Sequence, residues 1–367
     1  MPYNWQLASW PHFQYQQDKF APLLAQYAAT QGKLMGLLEG LPASYETQAL
    51  IDVMVREALK TSAIEGELLS RPDVLSSIRN NLGLNRIPDN IRDRRAAGVA
   101  KLMVVVREDF HKPLSISMLF DWHQMLMESY ANLTPGQWRR GTAPMQVISG
   151  SIGREVVHFE APPSDRVPRE MERFIEWYNT PPSPSESPLL ISPIRSAIAH
   201  LYFESIHPFE DGNGRIGRAI SEKVLSQGLG QPILISLSSV IEKRRRDYYQ
   251  ALQKAQRQDE VTEWIGYFLG VITESQADTE RNFQFTLRKI QFFDRFKEQL
   301  NPRQSKALQR MFEAGPSGFT GGMSARKYAS LTRSSKATAT RDLRELVKMG
   351  ALIIEGKGRN TRYTLPV

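Results

Sequence analysis

The sequence predicts a mainly α-helical protein that carries one small β-hairpin. Apolar residues recur three or four positions apart in many segments, most clearly within residues 193–206, and this spacing is typical of helices. Two short β-prone runs, 146–149 and 155–159, flank the turn sequence GSIG and predict the hairpin. The end of the chain, from residue 303, combines helical patterns with two short strand patterns.

Breaks in these patterns predict three domains. Residues 1–95 form a mostly helical N-terminal extension, and residues 96–300 form the helical core that contains the hairpin. Residues 301–367 form a separate C-terminal domain, which begins where Asn301 precedes a proline. Within the core, the Pro- and Ser-rich stretch 180–188 predicts a loop.

The composition excludes several classes of protein. The chain has 367 residues, enough for two or three domains, and no cysteine, which excludes disulfides, a thiolate nucleophile and a Cys-ligated zinc site. Its first residues have neither a basic segment nor an apolar core, so no signal peptide is predicted. No apolar run is long enough to cross a membrane, and we expect a cytoplasmic protein without membrane contact.

The most informative segment is HPFEDGNGRIGR, residues 207–218. Pro208 cannot continue the preceding helix, because it lacks an N–H and its ring clashes with the previous turn. Gly212, Asn213 and Gly214 then allow a tight loop, after which a helical pattern resumes. The loop therefore enters a helix N-terminus, where free N–H groups and the helix dipole favour an anion.

The side chains of this segment match the needs of a nucleotide polyphosphate. Arg215 and Arg218 share one face of the first helical turn and can grip phosphates together. Asp211 offers a hard oxygen ligand for Mg²⁺, and His207 is of the residue type that serves most often as a general base. A glycine-rich turn or a lone histidine is usually structural, but the complete set at fixed spacing favours function.

The segment resembles the signature of the Fic family, HPFx[D/E]GNGRxxR, and matches every defined position. The resemblance implies a Fic-fold helical core with a hairpin flap. It also implies transfer of AMP from ATP to Ser, Thr or Tyr hydroxyls of target proteins. Relatives similar to the Doc toxin have a bulkier loop and phosphorylate instead, and the small Gly214 disfavours that mode.

The resemblance also implies roles for individual residues. His207 would be the general base and Asp211 the Mg²⁺ ligand, while Phe209 would pack the loop into the core. The residues expected to bind ATP in this segment are Asp211, Gly212, Asn213, Gly214, Arg215, Ile216, Gly217 and Arg218, of which residues 212–214 would receive the α-phosphate and the two arginines the outer phosphates.

A second segment, TSAIEGELL, begins at Thr61 and follows a helical pattern. Thr61, Glu65 and Gly66 fit the inhibitory signature [S/T]xxxE[G/N] of many Fic proteins. The resemblance implies that Glu65 pairs with Arg218 and removes the guanidinium that should hold the γ-phosphate. The alternative is an ordinary solvated glutamate on a helix surface.

Two further regions are assigned by resemblance. The hairpin corresponds to the Fic flap, so Val147, Ile148, Ser149 and Gly150 would border the nucleotide and the incoming hydroxyl side chain; alternatively it is a surface hairpin. Tyr248 and Gln256 would lie near the adenine or ribose, although many relatives have asparagine in place of Gln256. Tyr248 is alternatively a core aromatic, and 244–246 is predicted to be a solvated basic turn.

The C-terminal domain resembles a winged helix-turn-helix. Its predicted helices span 305–312, 324–331 and 336–349, and strands at 351–354 and 361–365 follow. From residue 303 it contains 13 Lys and Arg against 4 Asp and Glu, whereas the rest of the chain is nearly neutral, with 34 against 35.

Such a domain predicts either DNA contact or protein docking. Thr338, Arg341 and Arg344 on the last helix, with Lys357 and Arg359 in the wing, could reach a DNA groove and its phosphates.

Two classes of function therefore compete. The first is an ATP- and Mg²⁺-dependent protein adenylyltransferase, inhibited by its own Glu65 and capable of modifying itself. The second is a DNA-binding regulator that uses the core as a nucleotide sensor. Removal of AMP from targets is a further alternative. The intact His207 favours the enzyme, because a sensor needs no base. A homodimer is plausible.

Overall fold

The computed structural model describes residues 2–149, 156–316 and 318–366, with the side chains of Ser149 and Arg359 left out. As predicted, the fold is mainly helical. The chain separates into two compact units, of which the first contains Met1–Met35 and Glu46–Ala277 and the second contains Gly36–Tyr45 and Asp278–Val367. The last of the three boundaries, after Ala277, lies within a long helix and before Asn301, and the three-domain division predicted above stays a prediction.

The described helices are α1 Ala21–Glu39, α2 Ala43–Ile64, α3 Arg71–Asn81, α4 Arg94–Glu108, α5 Ile116–Met127, α6 Val167–Asn179, α7 Pro188–Ile206, α8 Asn213–Leu229, α9 Leu237–Lys243, α10 Arg245–Ala255, α11 Thr262–Phe296, α12 Pro302–Phe312, α13 Ala325–Thr332 and α14 Lys336–Lys348. The described strands are β1 Gln146–Ser149, β2 Val156–Glu160, β3 Ile353–Glu355 and β4 Arg362–Thr364. None of the described helices combines the length and the apolarity that crossing a membrane requires.

The core of the first unit surrounds the helix pair α7 and α8. Phe203, Ile206, Phe209, Ile216 and Ile220 are completely buried in it. Burying a large apolar side chain contributes about 2 kcal/mol, so this pair forms a rigid base for the loop that joins the two helices. The first residues of the chain also contact α7, for example through the hydrogen bond from Asn4 Nδ2 to Ser205 Oγ at 2.8 Å.

Helix α7 begins earlier than the spacing of 193–206 predicts. It starts at Pro188, where proline is tolerated because a first-turn N–H has no intrahelical partner, and it contains Pro193 in its interior. An internal proline leaves the carbonyl four residues before it without its usual donor. The Ser192 hydroxyl donates to that carbonyl, Leu189 O, at 3.1 Å, which explains why the helix continues through the proline.

The predicted hairpin is present. β1 and β2 pair antiparallel, with Val147 opposite Phe159 and Ile148 opposite Val157. The register shifts between Val147 and Ile148, so that His158 is an extra residue on β2, as in a β-bulge. Phe159 is buried, whereas Ile148 remains half-exposed. The hairpin therefore presents one side to the core and leaves apolar side chains on the other.

The second unit has a small core of its own, which includes Leu308, Tyr328, Leu343 and Leu346. Helices α12, α13 and α14 fall close to the predicted positions, and β3 pairs antiparallel with β4. Asn301 caps α12 by accepting from the N–H groups of Arg303 and Gln304. The assignment of this unit as a winged helix-turn-helix stays a prediction.

Candidate active site

A cavity of about 660 Å³ opens at the loop between α7 and α8. Its walls come from the turn just after α2, the hairpin, the end of α7, the loop, the start of α8, and α10. The residues that line it are Glu65, Gln146, Val147, Ile148, His158, Phe159, Glu204, His207, Glu210, Asp211, Gly212, Asn213, Gly214, Arg218, Arg245, Arg246, Tyr248, Tyr249, Gln250, Leu252, Gln253 and Gln256. Most of the sequence-predicted residues therefore meet in one place.

The backbone of the loop is held in an uncommon conformation. His207 ends α7 with φ 50° and ψ 60°, a left-handed conformation that is rare for residues other than glycine and concentrates at functional sites. Gly212 has φ 79°, and an added Cβ would lie 2.5 Å from Met127 Cε. The positive φ therefore favours glycine at position 212, whereas the Met127 methyl group lies at the end of a flexible side chain and can move aside.

Two side chains fix this loop. Asn213 closes it by accepting from Phe209 N and donating to Phe209 O, both at 2.9 Å. The Arg139 guanidinium donates to His207 O at 2.8 Å, Pro162 O at 2.5 Å and Ser164 Oγ at 2.9 Å. Burial lowers the pKa of Arg139 to about 10, so the guanidinium stays charged at neutral pH.

Phe209 packs the loop into the core, as predicted. Its ring is completely buried and stacks on His123, with centroids 4.0 Å apart. Trp138 packs against it as well, at 5.0 Å. Phe209 thus supports the loop from the core side.

The start of α8 faces the cavity. Asn213 and Gly214, its first residues, line the cavity together with Asp211 and Gly212. The first N–H groups of a helix have no intrahelical partner, and the helix dipole adds partial positive charge there. This wall is suited to an anion such as phosphate.

Arg218 is buried and already paired with the predicted inhibitory segment. Its NH2 donates to Glu65 Oε1 at 2.7 Å and to Thr61 O at 3.0 Å, and its Nε donates to Thr61 Oγ1 at 2.8 Å. Burial lowers the pKa of Arg218, but the charge of Glu65 and its hydrogen bond outweigh burial and raise that pKa above its ordinary value. Gly66, with φ 84°, ends the turn that places Glu65 beyond the last residue of α2.

Arg215 does not line the cavity, and its guanidinium contacts two acidic side chains. Its NH1 lies 3.1 Å from Glu67 Oε2, and its NH2 lies 3.6 Å from Asp211 Oδ1. The Tyr130 hydroxyl donates to the other oxygen of Glu67 and lies 3.5 Å from Arg215 NH1. Among the residues described, Arg215, Ile216, Gly217, Thr61 and Gly66 do not line the cavity.

Tyr248 and Gln256, which were expected near the adenine or ribose, both line the cavity. Their side-chain polar groups, however, contact other residues of the protein. The Tyr248 hydroxyl lies 2.7 Å from His200 Nε2, and burial raises the pKa of Tyr248 well above its ordinary value. The Gln256 amide donates to Glu204 O at 3.2 Å.

The hairpin reaches the same cavity. Val147 and Ile148 line it, as does Gln146, whose amide donates to Glu160 Oε2 at 2.8 Å. Gly150 lies outside the described residues, and so does the side chain of Ser149. The edge of β1 thus borders the cavity.

Asp211 fits a Mg²⁺ ion that is held jointly with phosphate. Its side chain is 51% exposed, and one of its oxygens accepts from Gly212 N at 2.5 Å, which leaves the other oxygen for a ligand. Among the described residues, no group of three or more acidic, His or Cys side chains could hold a metal ion. Mg²⁺ is commonly bound by one or two carboxylates together with substrate phosphates, so one aspartate is compatible with it.

Sequence reasoning missed several residues of this site. Glu67 and Arg139 contact residues that are far away in the sequence, and no local sequence pattern predicts those contacts. Arg245 and Arg246 were predicted to be a solvated turn; they are exposed but line the cavity. Glu204 lies three residues before His207, and this helical spacing could have identified it.

Comparison with known proteins gives two family matches. A model described as Fic/DOC family matches residues 113–225. A second, described as a domain of unknown function (DUF4172), matches residues 3–84.

Two curated relatives carry the name protein adenylyltransferase. The chain is 27% identical to fic-1 of Caenorhabditis elegans over 172 residues, which cover 47% of this chain and 29% of that protein. It is 29% identical to Fic of Culex quinquefasciatus over 157 residues, which cover 42% of this chain and 27% of that protein. The chain thus spans less than a third of the length of these relatives.

A solved structure has a similar fold. The crystal structure of a Fic family protein from Desulfovibrio desulfuricans G20 aligns with a TM-score of 0.51 at 21% identity, covering 94% of this chain and 96% of that one. The family match coincides with the segment that carries the loop, α7 and most of α8. Residues 113–225 therefore contain a Fic/DOC domain, and this domain includes the loop that opens into the cavity.

Proposed function

We propose that the protein is an adenylyltransferase that transfers AMP from ATP to a hydroxyl group of a protein. One observation carries the proposal. His207, the N-terminus of α8 and Arg218 face one cavity, large enough for a nucleotide and bordered by the edge of β1. The names of the curated relatives agree with this activity.

The reaction follows from the placement of the groups. The His207 imidazole takes the proton from the target Ser, Thr or Tyr hydroxyl, whose oxygen attacks the α-phosphorus. The N–H groups at the start of α8 stabilise the negative charge on the α-phosphate. The bond to the bridging oxygen breaks, and pyrophosphate leaves with its electron pair.

Asp211 would hold Mg²⁺ together with the phosphates. The ion would neutralise phosphate charge and fix the polyphosphate in one orientation. The proposal assigns the base to His207 and the anion site to the start of α8.

The ion pair between Glu65 and Arg218 supports inhibition within the chain. The guanidinium that should hold the γ-phosphate is occupied at 2.7 Å, and a carboxylate lies where that phosphate would bind. Because like charges repel, ATP would bind in an unproductive pose until Glu65 moves. Thr61 adds two hydrogen bonds that fix the arginine in this state.

The test uses ATP labelled on the α-phosphate. We expect little label on the wild-type protein, at least about tenfold more on Glu65→Gly, and none on Glu65→Gly/His207→Ala. Label that persists in the double variant, or none in Glu65→Gly with any protein substrate, would exclude the proposal. AMP released from a pre-labelled protein would instead indicate the reverse activity.

The basic face of α14 favours a second candidate function, which is binding of duplex DNA by the second unit. Lys336, Arg341 and Arg344 are exposed and line one shallow groove on this helix. Thr338 does not line this groove. Its N–H and hydroxyl contact Ser335 at the helix N-cap instead. Closely spaced cations on an exposed helix are suited to phosphates.

A salt titration tests this function. Affinity for a fluorescent duplex should fall steeply with KCl, and Arg341→Ala should reduce the slope of log K against log salt by about 1. Arg310→Ala, on α12, is the matched control, because Arg310 is paired with Glu313 at 2.9 Å. Equal slopes for both variants would exclude DNA contact by α14.

A further inference from the structure

Glu204 and His207 form a pair at the end of α7. Glu204 Oε2 lies 3.5 Å from His207 Nδ1, and their side chains are 7% and 14% exposed. Glu204 Oε1 and His207 Nδ1 have no hydrogen-bond partner among the described residues. The carboxylate thus lies beside the ring nitrogen through Oε2, and its other oxygen, Oε1, makes no hydrogen bond with the described residues.

Gly217 makes room for this carboxylate. An added Cβ at position 217 would lie 2.7 Å from Glu204 Oε1 and 3.3 Å from the His200 ring. Gly217 belongs to the Fic segment, yet it does not line the cavity. A glycine at this position of α8 leaves the space that the Glu204 carboxylate occupies beside His207.

We propose that Glu204 is a positioning residue that keeps the proton of the neutral His207 ring on Nδ1 and so leaves Nε2 free to accept the proton of the target hydroxyl. The catalytic consequence rests on the proposed transferase activity. A carboxylate that accepts from Nδ1–H fixes both the tautomer and the orientation of an imidazole. After proton transfer it also stabilises the imidazolium ion. The contact at 3.5 Å is long, but such bonds often tighten when substrate binds.

The surroundings keep Glu204 charged. Burial raises the pKa of its carboxyl, but the contact with His207 and the proximity of His200 and Arg218 lower that pKa below its ordinary value. Nearby, the Tyr248 hydroxyl on α10 contacts His200 Nε2, and the Arg139 guanidinium donates to the His207 carbonyl. Glu204 is therefore an acceptor at neutral pH.

The tautomer itself can be measured without any transfer activity. ¹⁵N NMR of the histidine-labelled full chain distinguishes Nδ1–H from Nε2–H, and the His207→Ala spectrum assigns the signal. We expect Nδ1–H in the wild-type protein and a shift to Nε2–H, the form that free histidine prefers, in Glu204→Ala. Glu204→Gln should retain Nδ1–H, since its amide oxygen still accepts. An unchanged tautomer in Glu204→Ala overturns the proposal.

A second variant and a control distinguish a displaced carboxylate from a general effect of misfolding on the tautomer. Gly217→Ala should displace the carboxylate and produce the same shift, with Tm recorded for every variant. Glu172→Ala, an exposed carboxylate on α6, should leave the tautomer unchanged. If Gly217→Ala folds, displaces the carboxylate and retains Nδ1–H, the proposal is overturned.

Transfer kinetics in the Glu65→Gly background separate this proposal from the proposed function. We expect Glu204→Gln to lower kcat about 100-fold with little change in KM for ATP, because the charge behind the base is lost. Transfer at an unchanged kcat in Glu204→Ala overturns the positioning role and leaves the transferase intact. Conversely, a tautomer shift without transfer by any variant supports the positioning role and contradicts the transferase.

Discussion

Gly214 and Glu65 lie so close together that position 214 has no space for a side chain. An added Cβ would overlap Glu65 Oε1 and lie 3.1 Å from Glu65 Cδ and 3.0 Å from Arg218 NH1. The glycine that opens the cavity wall to phosphate thus also admits the carboxylate that pairs with Arg218. Gly214 thus leaves a space that either the phosphate or the Glu65 carboxylate can occupy, but not both.

Gly214→Ala should therefore destabilise the protein through Glu65. The methyl group pushes the carboxylate away from a buried arginine, which we expect to cost about 1 to 2 kcal/mol in the free energy of unfolding. In a Glu65→Ala background the same substitution should cost less than half as much, since the displaced group is absent. Urea unfolding of all four proteins measures this coupling, and strictly additive losses would contradict it.

Glu67→Ala should increase the affinity for ATP. The substitution leaves the buried Arg215 without its main carboxylate partner, so the apo protein loses stability and an incoming phosphate gains a free guanidinium. In the Glu65→Gly background we expect Kd for a non-hydrolysable ATP analogue to fall about five- to tenfold, close to 1 kcal/mol, by isothermal titration calorimetry.

The control for Glu67→Ala is Glu108→Ala, which removes the same charge from an exposed position on α4. If both variants bind the analogue with the wild-type Kd, Arg215 has no part in holding phosphate. A tighter Kd in both would reflect net charge alone.

Local signals made much of this molecule predictable. The break at Pro208, the glycines that follow and the renewed helical spacing place a loop at a helix N-terminus, and the structure has it there. The hairpin also follows from its β-prone runs, and the packing of Phe209 from its place between two helices. These features depend on a few consecutive residues.

Contacts between distant segments were not predictable in the same way. Arg139 follows a tryptophan in an irregular segment, and its hydrogen bonds to residues 162 and 206–207 depend on the tertiary fold. Glu67 reaches Arg215 only because the chain turns at Gly66 beyond α2. Helix α7 extends past Pro193 because Ser192 replaces the lost donor, a local device that hydrophobic spacing does not reveal.

Lys223 should make stability depend on pH in the alkaline range. Its ammonium group donates to Asp109 O at 2.7 Å and to Phe110 O at 2.8 Å at the end of α4, and burial lowers the pKa of Lys223 to about 8. The unfolded chain then binds more protons than the folded one between this pKa and the ordinary value near 10.5, so this residue increases stability as pH rises through that window.

The measurement compares the wild-type protein with Lys223→Met by urea unfolding at pH 7.5 and 9.5. The free energy of unfolding of the wild type, relative to the variant, should rise by about 2 kcal/mol between the two pH values. Comparison with the variant removes the contribution of other groups that titrate there. A difference that stays constant or falls would contradict the assignment.

Arg139→Met should loosen the loop that carries His207. The guanidinium donates to three backbone carbonyls and one hydroxyl, and methionine leaves those acceptors unsatisfied in a buried place. We expect the free energy of unfolding to fall by about 3 kcal/mol, with Arg139→Lys recovering less than half, because an ammonium group cannot span the same acceptors. The neighbouring exposed Arg140 provides the matched variant, Arg140→Met, which should cost less than about 0.5 kcal/mol. Comparable losses for the two variants in urea unfolding would mean that Arg139 does not fix the loop, and the left-handed backbone of His207 would then require another source of support.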